Sequence, residues 1–85
     1  MSKTIRSAGQ LALCAALVAA RQTAQLTQTQ LAERLRCHQS MIARVESGER
    51  RIDTVELIVI CRAIGCDPKE ILDQVAATVP EDHHL

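Results

Sequence analysis

Apolar residues recur at helical spacing along almost the whole 85-residue chain, and no stretch alternates apolar and polar positions for long enough to predict a strand. The predicted fold class is therefore all-α. A first helix over about residues 7–23 keeps Leu13, Leu17 and Ala20 on one face. Three later starts carry the signature of a capping box, in which an N-cap oxygen and a side chain three places on satisfy orphan backbone donors reciprocally. These are Thr27 with Gln30, Asp53 with Glu56, and Asp67 with Glu70, the last followed by Pro68 at the first helical position. Gly48 and Gly65 stand where helices over 38–47 and 54–64 should end, because glycine adopts the left-handed conformation that closes a helix. Five short helices in one compact domain over 1–85 are expected, with residues 80–85 as a disordered tail.

The second and third helices, over 28–35 and 38–47, are joined only by Arg36 and Cys37, so they must cross steeply. A close crossing needs a small side chain, and Ala32 supplies one between Leu31 and Leu35. On the following helix Ile42 and Val45 face inward, which turns Gln39, Ser40, Ala43 and Arg44 outward. Those four carry the chemistry of base readout: Gln bonds adenine N6 and N7, Arg bonds guanine O6 and N7, Ser bonds either, and Ala meets a thymine methyl. Met41 flanks that face, and either a thymine contact or packing at its edge would suit it. His38 is expected to begin its helix near a phosphate rather than to bind a metal, since no suitably spaced partner accompanies it.

Composition narrows the choices. Phe, Tyr and Trp are absent, which removes the stacking platforms that hold single strands and RNA loops. Net charge is zero, yet residues 1–51 carry eight Lys/Arg against three Asp/Glu, a net +5, and residues 52–85 carry two against seven, a net −5. The N-terminal part is the end that would face phosphates. Ahead of the apolar run 11–20, Lys3 and Arg6 imitate the start of a signal peptide, but no cleavage site follows. That run is half the length of a membrane span, so no membrane association and a cytoplasmic location in a bacterial or phage context are expected. The four cysteines, Cys14, Cys37, Cys61 and Cys66, lack zinc spacing and read as reduced and structural, with a redox role for Cys37 as the rival. No cofactor or metal is expected. Without a carboxylate pair or a nucleophile matched to a base, neither is an enzyme.

The string LTQTQLAERLRCHQSMIARVESGERRID resembles the lambda-repressor-like, Cro-type helix-turn-helix family of small transcriptional regulators, and the resemblance spans about residues 13–72. It implies double-stranded DNA as the partner, with Gln39, Ser40 and Arg44 on base edges. It also implies that Gln28 touches a phosphate and braces Gln39, that Arg50 and Arg51 approach the DNA backbone, and that Arg21 pairs with Glu46. The family's usual glycines are replaced by Gln25 and Arg36. A left-handed residue with a Cβ costs about 1 kcal/mol, so either the turn is altered or strain is tolerated, and Arg36 would compensate with a phosphate contact. Operators read by such modules are two-fold symmetric, which predicts a homodimer. Surplus apolar residues on the last helix place Val75 and Val79 at that interface, with Val59 beside them. The rival function is an antitoxin or adaptor that uses the same domain to bind a protein.

Overall fold

The computed structural model describes residues 7–85; Lys3 and Arg6, read above against a signal peptide, lie outside the described residues. Five helices follow in order: α1 (Ala8–Thr23), α2 (Gln28–Leu35), α3 (Gln39–Ser47), α4 (Thr54–Ile64) and α5 (Pro68–Ala76). The fold is all-α among the described residues. Ser7 caps α1, its hydroxyl accepting from the Gln10 N–H at 3.2 Å. Thr27 and Asp53 form complete capping boxes with Gln30 and Glu56.

Two expected starts need correction. α3 begins at Gln39, with His38 as an extended N-cap whose side chain makes no capping bond. Asp67 does not box with Glu70 either; its carboxylate accepts from the Lys69 N–H at 2.9 Å. Pro68 explains this. The residue before a proline is held at ψ near 120–160°, and Asp67 sits at ψ 120° where Asp53 sits at 177°. That rotation swings the carboxylate one residue short.

The α2–α3 turn keeps its geometry without glycine. Arg36 is left-handed at φ 56°, ψ 45°, and the Cys37 N–H closes on the Ala32 carbonyl at 3.0 Å. Gln25 repeats the device at φ 61°, with Leu26 N–H donating to Arg21 O. Of the two outcomes open from sequence, strain is the one observed. Each site carries about 1 kcal/mol of it.

α1 packs along α5 and against α3, while α2 is held between α3 and α4. Leu17, Leu31, Ile42, Val45, Leu57, Ile60, Cys61, Ile64 and Ile71 form the core where these contacts meet. Ala32 is 2% exposed at the crossing, so the backbones approach closely there. Leu35 packs against this core but is only half-buried, because it borders a cleft beside α4. All four cysteines are free, and burial together with a hydrogen bond to Cys66 pushes the Cys61 thiol up to about 12. A thiol held protonated behaves as a small hydrophobe.

Candidate nucleic-acid interface

The outward side of α3 is built from the inside. Arg21, in the last turn of α1, is fixed by three bonds: Nε to Glu46 Oε2 at 2.7 Å, Nη2 to Glu46 Oε1 at 3.0 Å, and Nη1 to the Leu26 carbonyl at 2.7 Å. The Arg21 and Glu46 side chains are only 11% and 8% exposed. Glu46 in turn holds the Arg21 guanidinium above its usual pKa, chiefly through the hydrogen bond. Taking two charges out of water is costly, so the pair depends on this near-complete bonding.

From Glu46 the chain of contacts runs outward. Gln28 Nε2 donates to Glu46 Oε1 at 2.9 Å, and Gln39 Nε2 donates to Gln28 Oε1 at 2.6 Å. Four residues from α1, α2 and α3 thus form one polar relay that surfaces at the exposed Gln39. Its logic sets both amide orientations. An ionised carboxylate only accepts, so Gln28 must turn its NH2 to Glu46 and its oxygen to Gln39. Gln39 must then present NH2 to Gln28, which leaves its second N–H and its carbonyl oxygen for a ligand.

Ser40 and Arg44 share the exposed face, and among the described residues no hydrogen bond engages either side chain. Ala43 is half-buried rather than fully outward. Met41 is half-buried and lines the cleft beside α4. Ser47 was missed from sequence. It is exposed on the same face, its hydroxyl donating to the Arg44 carbonyl at 3.2 Å and accepting from the Glu49 N–H at 3.4 Å. The heptad offset from Ser40 was the available clue.

Among the flanking cations, Arg36, His38 and Arg51 are exposed. Arg50 differs: its guanidinium lies on Glu56, with Nη2 to Oε2 at 2.9 Å and Nη1 to Oε1 at 3.3 Å. That pair lowers the Glu56 pKa, first through the Arg50 bond and then through the Asp53 backbone N–H. Residues expected at the dimer interface lie apart from one another. Val59 is 46% exposed on α4, whereas Val75 and Val79 lie over Gly9, where an added Cβ would sit 3.1 Å from Val79 Cγ2.

Comparison with known proteins agrees with this fold. A family model described as a helix-turn-helix domain matches residues 12–73. Among solved structures, an XRE-family like protein from Pseudomonas syringae pv. tomato str. DC3000 is 42% identical, with a TM-score of 0.80 over 93% of this chain and 96% of that one. No curated protein sequence matches the chain.

Proposed function

Because the chain belongs to the lambda-repressor-like, Cro-type helix-turn-helix family, we propose that it is a sequence-specific transcriptional regulator that inserts α3 into the major groove of double-stranded DNA. It acts as a homodimer on a pseudo-palindromic operator in a bacterial cytoplasm, encoded by the host or by a phage, and performs no chemistry of its own.

The relay ending at Gln39 carries this reading. With one N–H committed to Gln28, Gln39 offers one N–H and one carbonyl oxygen side by side. Adenine offers the complement in the major groove, the N7 acceptor beside the N6 donor. Since Glu46 fixes the amide before DNA arrives, little side-chain entropy is left to lose on binding. Ser40 and Arg44 read neighbouring base edges, Arg44 with the fork that suits guanine, and Ala43 touches a thymine methyl. Gln28, Arg36, His38 and Arg51 approach the phosphates and set the register. Arg50 reaches them only as one half of its pair with Glu56, so its attraction is weaker than its formal charge implies.

Selection of bound sequences from a random duplex pool tests the proposal. A two-fold symmetric site with half-sites about one helical turn apart is expected, and Gln39→Ala should abolish preference at a single A·T pair in each half. Failure to enrich any sequence would overturn the DNA reading, and enrichment of a lone half-site would overturn its symmetric operator.

A further inference from the structure

α4 buries Leu57, Ile60, Cys61 and Ile64 on one side and leaves Val55 and Val59 67% and 46% exposed on the other. With the exposed Arg62 they occupy positions i, i+4 and i+7, one straight stripe. Beside the stripe lies a cleft of about 180 Å³ whose lining includes Leu35, Cys37, Met41 and Ile52. Its charged lining residues, Arg50 and Glu56, already satisfy each other. Nothing in the cleft offers water the two to four polar partners it needs. The stripe's charges are ordered: Asp53 and Glu56 stand at the N-terminal end of α4 and Arg62 at the C-terminal end.

We propose that this face receives a second copy of the chain, the two α4 helices running antiparallel with Val59 beside the two-fold axis. Antiparallel alignment about Val59 brings Val55 opposite Ala63 and each Arg62 opposite Glu56 of the other copy, whose carboxylate then lies between that arginine and its own Arg50. Parallel alignment would set like charges together. A two-fold interface must be self-complementary, and this stripe is so in both shape and charge. The cleft receives the valines of the second copy. Val75 and Val79 are less suited: Val75 is half-buried against Gly9, and Val79, though 42% exposed, lies beyond the end of α5 against the same glycine rather than on a continuous helical stripe. Met41, Ile42 and Val45 of α3 line the same cleft, so pairing also braces the reading helix from behind. This inference names the surface of the dimer proposed above and rests on that reading only for its consequence at the operator.

Sedimentation without DNA tests it. The wild-type chain should dimerise at micromolar concentration, and Val59→Asp should raise the dissociation constant more than about 100-fold with an unchanged helical circular dichroism spectrum. Arg62→Glu, at an exposed position that cannot disturb the core, should raise it about tenfold. Under mild oxidation, Val59→Cys should form a covalent dimer faster than wild type, with its own four thiols, or Val79→Cys. A monomeric wild type, a dimer indifferent to both Val59→Asp and Arg62→Glu, or preferential cross-linking through Val79→Cys would each overturn the assignment. A dimer that selects no operator would leave this interface standing and sink the DNA reading. A monomer that selects a single half-site would do the reverse.

Discussion

Two successive helices of similar length, α3 with nine residues and α4 with eleven, each turn an uncovered stripe away from the core. On α3 the stripe is polar, Gln39, Ser40, Arg44 and Ser47; on α4 it is Val55 and Val59, ended by Arg62. Both are uncovered, but for opposite reasons. Polar groups left unpaired at a surface cost nothing while water serves them, and they are free to exchange water for base edges. Exposed valines gain about 25 cal/mol per Å² only when another apolar surface covers them. Exposure on α3 therefore points to DNA, and exposure on α4 points to protein.

The largest expected effect comes from undermining α3 from within. Glu46→Ala strands the largely enclosed Arg21 guanidinium, 11% exposed, and should cost about 3–5 kcal/mol in a urea titration. A loss below about 1 kcal/mol would mean that the pair behaves as a surface one. Next comes a separation of the two stripes. Gln39→Ala and Arg44→Ala should each cost about 1–3 kcal/mol in operator binding and relax preference at one base pair, with no change in sedimentation. Val59→Asp should show the converse, altered sedimentation with preserved base preference at whatever affinity remains. Parallel loss of both properties in both variants would erase the distinction.

A smaller effect tests the joint before α3. Arg36→Gly should relieve left-handed strain and stabilise the fold by about 1 kcal/mol, a rise of about 4–8 °C in thermal midpoint for a domain this size. Arg36→Ala, which keeps the Cβ, should not. Both should lose operator affinity equally if Arg36 meets a phosphate. The smallest effect concerns the ion pair that ties the loop after α3 to α4. Arg50 lowers the Glu56 pKa below its ordinary 4.5, so the contribution of that carboxylate to stability is present above that value and fades as pH falls through the lowered one. Denaturation followed from pH 6 to pH 3 should show a shallower acid loss for Glu56→Gln than for wild type.

Much of the scaffold was legible because it is encoded in short-range chemistry. The boxes at Thr27 and Asp53, the stops at Gly48 and Gly65 and the small Ala32 at the crossing each depend on residues within one or two helical turns. The box assigned to Asp67 failed for a local reason that was also in the sequence, the restriction imposed by Pro68. Arg36 was ambiguous because the cost of a left-handed Cβ is small beside the core packing that enforces it. Gln39 was readable as an outward residue, but the direction of its amide was not, since that follows from a carboxylate seven residues on and an arginine on another helix.

The amino-acid sequence by itself determined the five helices, the tight α2–α3 joint and the division of α3 into inward Ile42 and Val45 and outward Gln39, Ser40 and Arg44, because a helix repeats every 3.6 residues whatever surrounds it. Only the tertiary structure decided which surplus apolar residues stay uncovered. Val75 looks as available in sequence as Val59, yet α1 brings Gly9 beneath it and leaves it half-buried, while Val55 and Val59 stay exposed on α4. Periodicity assigns a residue to a face of its own helix. What meets that face depends on how helices distant in the chain pack together.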